Sequence, residues 1–171
     1  MTRLSGALER LAGWLARLNE SCLLALVAAF STLALVQVIL RYGFNRGLFW
    51  ADELTLFAFT WTIFLSAALV LDRRMHFGVY ILVDRFPRRL QRLTTIAVHL
   101  AMLGVVLFFL GFGLQHSWSN WVQVSDVLRI PMTWWYLSLP VACLLMLVSL
   151  ARDLCILLAG GNPSRHQEEV A

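Results

Sequence analysis

Long uncharged apolar runs alternate with short polar segments along most of this chain. Four such runs can be read directly from the sequence: Ser21 to Leu40, Leu54 to Leu71, Leu93 to Leu114, and Ile130 to Ala151. Because an α-helix rises about 1.5 Å per residue, each run is long enough to cross the roughly 30 Å hydrocarbon core of a bilayer. The short alternating segments typical of a transmembrane β-barrel do not occur. The pattern therefore predicts an all-α membrane protein with four transmembrane helices.

We expect one four-span membrane domain, with spans at about residues 21–42, 52–71, 88–118 and 130–152. Residues 2–20 are predicted to form an amphipathic helix that lies in the inner headgroup layer, because leucines recur every three or four positions and arginines every seven. We interpret this helix as retained; a cleaved signal peptide is the alternative, but no A-x-A-like site ends the following run. An interfacial segment is expected between spans 2 and 3, and residues 160–171 are predicted to be a flexible tail.

The composition agrees with this interpretation. Hydrophobic residues make up 60% of the 171 residues and the mean hydropathy is +0.73, which exceeds what a soluble domain can cover. A net charge of +4 could indicate a nucleic-acid partner, but the arginines flank the apolar runs, so we expect no nucleic acid and membrane lipids instead. The three cysteines, Cys22, Cys143 and Cys155, have neither disulfide nor metal-site spacing.

The distribution of arginines predicts the orientation. Three arginines lie in the N-terminal segment, six between spans 2 and 3, and two after span 4, whereas the other two loops carry two and one. The positive-inside rule then places both termini in the cytoplasm, N-in and C-in. Under this topology, five of the seven tryptophans fall at the outer ends of the spans, where aromatic side chains anchor helices at headgroup level.

Charged residues are absent from the predicted membrane interior. Ion-coupled carriers generally hold an acid, a base or a broken helix near the bilayer midplane. No Asp, Glu or Arg occurs within the four runs, and Arg152 directly follows the last one. No phosphate-binding loop or nucleophile motif is present either. We therefore expect an accessory or scaffold subunit with no cofactor, no metal and no enzymatic activity of its own.

Two other functions remain as alternatives. A respiratory membrane anchor would hold a haem between two histidines, and His76 and His99 are both predicted on the inner side. A self-associating four-span protein would use the glycines of span 3, which permit close helix approach (Gly104, Gly111 and Gly113).

The stretch "RYGFNRGLFWADEL" between the first two runs contains the residues that end one helix and begin the next. Arg41 suits the negative end of the first helix dipole, and Gly43 can take a left-handed terminating conformation. Trp50 is expected at headgroup level, and Asp52 and Glu53 suit the positive end of the second helix. An ion pair between Arg41 and Glu53 across the hairpin is a further hypothesis.

In this region the sequence resembles the small membrane subunit, or Q component, of tripartite ATP-independent periplasmic (TRAP) transporters. The family pattern has an R-Y pair, a Trp before acidic residues, an aromatic second span, and a basic loop containing a histidine. A small residue near the end of the second span, often Gly in the family, is Ser66 here. The matching positions are Arg41, Tyr42, Trp50, Asp52, Glu53, Trp61, Arg74 and His76.

The resemblance implies a function and partners. In the family, the Q subunit binds a large membrane subunit (M), which carries the substrate path and the sodium sites. A periplasmic binding protein (P) delivers substrate, typically an organic acid anion, to the outer face. The Q subunit would then be a scaffold in the bacterial inner membrane, and the eight matching residues would contact partners or support the structure.

Overall fold

The computed structural model describes residues 2–73 and 88–158 of the chain. These residues form α1 (Thr2–Gly43), α2 (Phe49–Asp72), α3 (Arg88–Ser119), α4 (Thr133–Tyr136) and α5 (Ser138–Leu158). Within the described ranges, four helical segments are long and apolar enough to cross a membrane: Arg10–Gly43, Phe49–Asp72, Leu93–Ser119 and Thr133–Cys155. The all-α, four-span fold class predicted from the hydrophobic pattern is confirmed. The predicted interfacial segment between spans 2 and 3 and the tail at 160–171 lie outside the described residues.

The first helix differs from the prediction because it has no break between its amphipathic part and its apolar part. It runs for 42 residues, which corresponds to about 63 Å of helix. From Trp14 to Tyr42 the sequence contains neither Gly nor Pro, so nothing interrupts the backbone hydrogen bonds. Asn19 does not cap a new helix; its side-chain amide donates to the Leu65 carbonyl of α2 at 3.1 Å.

The fifth helix is the centre of the packing. It contacts α1, α2 and α3, and α1 and α2 also form an extensive antiparallel pair. Within the described part of the chain, α3 makes no close helix-to-helix contact with α1 or α2. The buried core between α3 and α5 consists of Val106, Cys143 and Leu150. The four spans are therefore an open array arranged around α5, and not a closed bundle.

The contact between α3 and α5 is closest at Gly113. A Cβ at this glycine would lie 3.2 Å from Pro140 Cδ and 3.3 Å from Leu139 Cδ2, so a larger residue would push against a rigid ring. Gly104 and Gly111 face open space instead. The predicted close approach through glycines therefore occurs at one of the three positions within this chain.

The last span is divided into α4 and α5 close to Pro140. Pro140 has no N–H to donate to the Tyr136 carbonyl, and the helix is interrupted at Leu137 between the two segments. The backbone resumes its regular pattern with Val141, whose N–H donates to the Leu137 carbonyl at 3.1 Å.

Candidate functional site

Three of the eight residues singled out from the sequence line one recess between the end of α1 and the start of α2. Arg41 and Tyr42 come from α1 and Asp52 from α2, and the recess has a volume of about 160 Å³. All three side chains are exposed. At the end of α1, the N–H groups of Phe44 and Arg46 both donate to the Leu40 carbonyl, at 3.2 and 3.0 Å. The rest of the lining is Gln37, Val38, Gly47 and Leu48.

Glu53 faces away from this recess. Its carboxylate accepts the Leu128 N–H at 2.7 Å and also the Ser125 hydroxyl, both from the connection between α3 and α4. Among the ion pairs of the described residues, none joins Arg41 to Glu53, so the predicted pairing is wrong. The physical reason is that backbone and hydroxyl donors of this connection are within reach of the half-buried carboxylate and satisfy it.

The connection that Glu53 holds, residues 120–132, has an ordered hairpin-like shape. The Ser125 N–H donates to the Ile130 carbonyl at 2.9 Å, and the Met132 N–H donates to the Gln123 carbonyl at 2.8 Å. Between them, Arg129 has a positive φ of 56°, which a non-glycine residue adopts at some cost. The Glu53 carboxylate therefore ties this turn to α2.

The tryptophans of the sequence pattern take different positions. Trp61 lies nine residues after Asp52 on α2, about two and a half helical turns from the recess. Its indole N–H donates to the Trp134 carbonyl at 3.2 Å, which links α2 to α4. Phe57 packs edge-on against Trp135 with ring centroids 4.9 Å apart. Trp50 makes no such link and stays 44% exposed in the first turn of α2. Arg74 and His76 lie outside the described residues.

A charged network at the opposite end of the array was not predicted from the sequence. Arg152 Nη1 lies 3.1 Å from Asp72 Oδ1, and the Ser149 hydroxyl donates to the same oxygen at 2.8 Å. Arg152 Nε lies 3.1 Å from Asp153 Oδ1. His99 Nε2 of α3 lies 4.0 Å from Asp153 Oδ2. The four charged or titratable side chains are each at most 12% exposed, so the network joins α2, α3 and α5 through buried polar groups.

A sequence signal for part of this network did exist. Asp72 directly follows the second apolar run, and Arg152 directly follows the fourth. In a four-span topology both positions lie at the same membrane boundary, where opposite charges can pair. The contribution of α3 through His99 has no such signal, because it depends on how α3 packs on α5.

An ion pair at the same end of the array connects α1 to the end of α2. Glu20 of α1 pairs with Arg73 at 2.7 Å, but both side chains are nearly half exposed. Among residues 2–73 and 88–158, no group of three or more His, Cys, Asp or Glu side chains is placed to hold a metal ion. The polar groups at this end therefore connect helices to one another.

A comparison with protein families identifies the family to which this four-span chain belongs. The sequence model for the DctQ component of tripartite ATP-independent periplasmic transporters matches residues 30–160. The chain belongs to this family. Membership in the DctQ family confirms the resemblance found in the sequence, and it makes the chain a component of a TRAP transport system, not an enzyme.

Curated relatives of this DctQ-family chain carry matching names. The C4-dicarboxylate TRAP transporter small permease protein DctQ of Vibrio cholerae is 31% identical over 105 residues, which cover 61% of this chain and 43% of the relative. A putative TRAP transporter small permease protein of Haemophilus influenzae is 32% identical over 80 residues, or 47% of this chain and 50% of that protein. The chain therefore spans about half the length of these relatives.

A third relative is much longer. The isethionate TRAP transporter permease protein DctMQ of Oleidesulfovibrio alaskensis is 30% identical over 162 residues, which cover 88% of this chain but 26% of that protein.

Proposed function

We propose that this chain is the small membrane subunit that binds the large membrane subunit of a TRAP transporter and serves as its fixed scaffold. The complex would carry out sodium-driven, binding-protein-dependent uptake of an organic acid anion, with the sodium sites in the large subunit. The DctMQ relative supports this proposal, because its aligned segment is a minor part of a longer permease.

The observation that carries the proposal is the open array. Among residues 2–73 and 88–158, α3 packs only on α4 and α5, and the rest of its surface is broadly apolar with exposed aromatic side chains. Phe108 and Phe112 are 59% and 58% exposed and stack on one another with centroids 4.6 Å apart. Gly104 and Gly111 leave the same helix open to close approach by another helix. These features suit a helix of a membrane partner.

The positive-inside rule supports an orientation with both termini in the cytoplasm of a bacterium, in the inner membrane. In this orientation the recess lined by Arg41, Tyr42 and Asp52 and the connection at residues 120–132 would face outward. A periplasmic substrate-binding protein would meet that face transiently. The network around Arg152 would face the cytoplasm, together with Arg74 and His76, which follow its member Asp72 along the chain.

The binding test is co-purification of the untagged chain with a tagged large permease from the same source after co-expression. Gly111→Leu adds bulk on the free face of α3, where a Cβ meets nothing within 4 Å, so the fold itself should tolerate it. We expect this variant to lose the partner. Ala25→Leu, at an exposed apolar position of α1, is the control that should keep it. Loss with Ala25→Leu and retention with Gly111→Leu would overturn the assignment of the binding face to α3.

The scaffold role is tested by transport. Proteoliposomes that contain both membrane subunits, with the binding protein outside, should take up substrate only under an inward sodium gradient. Liposomes that contain this chain alone should show no uptake. Uptake by the chain alone would refute the scaffold role, and full uptake by the large subunit alone would refute the need for the partner.

A further inference from the structure

We propose that the recess between α1 and α2 binds the headgroup of a zwitterionic phospholipid that carries a primary ammonium group, as phosphatidylethanolamine does. The first observation is that the recess offers both signs of charge. Arg41 and Asp52 line it from opposite helices, and no ion pair joins them among those of the described residues. Both groups are therefore available to a ligand that carries the complementary pair of charges.

The recess has a suitable size. Its volume of about 160 Å³ is about ten times the ~10–15 Å³ that a single water molecule needs on the same measure. This is more than a single ion needs, and it is open on one side, as a headgroup attached to a longer molecule requires. Gln37, which also lines the recess, is held by α2, with its amide N lying 3.5 Å from Thr55 Oγ1, so the α1–α2 pair fixes this part of the lining.

The depth of the recess matches the headgroup layer. Asp52 and Asp72 both lie on α2 and are 20 residues apart, which corresponds to about 30 Å along the helix axis. This equals the thickness of the hydrocarbon core. Asp72 belongs to the charged network at one boundary, so Asp52 and the recess lie at the other boundary, where phosphate and ammonium groups are located.

An apolar strip continues from the recess toward the middle of the membrane. Val38 lines the recess and is 54% exposed, and Leu35, one helical turn away on the same face of α1, is 61% exposed. On α2, Leu56 lies one turn from Asp52 on the same face and is also 61% exposed. A bound phospholipid can therefore place its headgroup between the charges and its acyl chains along this strip.

The charges also select among headgroups. The Arg41 guanidinium can donate two parallel hydrogen bonds to phosphate oxygens, and the Asp52 carboxylate can accept from an ammonium group. Phosphatidylglycerol has the phosphate but no ammonium group. Its binding would therefore place an anion near the Asp52 carboxylate without a cation to pair with that carboxylate. The recess should therefore prefer phosphatidylethanolamine over phosphatidylglycerol, and Asp52 should be the source of that preference.

The test uses the purified full chain in nanodiscs of phosphatidylethanolamine and phosphatidylglycerol with identical acyl chains, followed by extraction and native mass spectrometry of retained lipid. The wild-type chain should retain phosphatidylethanolamine over phosphatidylglycerol by about fivefold or more, since roughly 1 kcal/mol of preference corresponds to that ratio. Asp52→Asn should remove the preference, and Arg41→Gln should lower retention of both lipids. Arg46→Gln, an exposed arginine of the same hairpin outside the recess, is the matched control and should change nothing.

Two variants that keep the charges guard against misfolding. Asp52→Glu should keep the preference, and Arg41→Lys should also keep it, because the preference comes from Asp52, although lysine cannot make two parallel hydrogen bonds to the phosphate. Equal retention of both lipids by the wild-type chain, or the same loss in Arg46→Gln, would overturn the proposal. So would recess variants that lose a co-expressed large subunit while their lipid retention stays unchanged, since the recess would then be a protein contact. The lipid measurement uses the chain alone, so its outcome is independent of the transporter assignment.

Discussion

Replacing Arg152 with methionine is expected to cost far more stability than replacing Arg73 in the same way, although Arg73 makes the shorter ion pair. Arg73 lies 2.7 Å from Glu20, with side chains 47% and 44% exposed. Arg152 lies 3.1 Å from Asp72, with both side chains 12% exposed, and 3.1 Å from Asp153, which is 6% exposed. The two variants therefore separate the effect of distance from the effect of burial.

The magnitudes follow from the surroundings of the two pairs. At an effective dielectric constant of about 20, two unit charges at 3.1 Å attract with about 5 kcal/mol. Removing Arg152 leaves two carboxylates buried without their cation, and breaking such a pair on one side typically costs about 3–5 kcal/mol. An exposed pair such as that of Arg73 contributes about 0.2–1 kcal/mol, since water and salt screen it.

The assay is unfolding of the purified chain in mixed micelles with a rising mole fraction of sodium dodecyl sulfate, followed by circular dichroism and tryptophan fluorescence. The variants are Arg152→Met, Asp72→Asn, the double variant and Arg73→Met. The double variant should lose about 1–3 kcal/mol less than the sum of the two single losses, since the residues are in direct contact. Equal losses for Arg152→Met and Arg73→Met, or additive losses in the cycle, would refute the reasoning that burial decides.

Two further predictions concern the other end of the array and the α3–α5 contact. Glu53→Ala should speed tryptic cleavage after Arg129 in detergent, because the 120–132 connection loses the carboxylate that accepts its hydrogen bonds. Asp52→Ala is the control and should leave the cleavage rate unchanged. Unchanged cleavage in both variants would contradict the role of Glu53 in holding this connection. Gly113→Ala should be less stable than Gly111→Ala by about 1–3 kcal/mol, because only at Gly113 does the added methyl meet a proline ring 3.2 Å away. The same sodium dodecyl sulfate unfolding assay measures this difference, and equal stability of the two variants would show that the ring yields.

The fold class follows from the sequence because one physical requirement dominates it. A segment in hydrocarbon must satisfy its own backbone hydrogen bonds, so an uncharged apolar run of sufficient length can be predicted as a helix without knowing its neighbours. The continuity of α1 was accessible by the same reasoning, since nothing between Trp14 and Tyr42 can end a helix. The amphipathic pattern of residues 2–20 changes which face of α1 is apolar without ending the helix.

The site was predictable only in part, because partners depend on packing. The sequence places Arg41, Asp52 and Glu53 near the hairpin, but it does not show that Asp52 turns toward α1 while Glu53 turns toward Leu128. That choice depends on a loop 75 positions away along the chain, whose shape includes the positive φ of Arg129. Local rules for helix ends therefore place these acidic residues correctly, but they do not predict which groups the carboxylates bind.

The central position of α5 has a consequence for biosynthesis. Of the described membrane-spanning segments, the ribosome completes this one last, and yet α1, α2 and α3 all pack on it. Chains emerge at about 5–20 residues per second, so the α1–α2 hairpin and α3 wait in the bilayer for seconds without their common neighbour. During that interval Asp72 has no arginine from α5 beside it, and an incomplete nascent chain should be a substrate for membrane quality-control proteases.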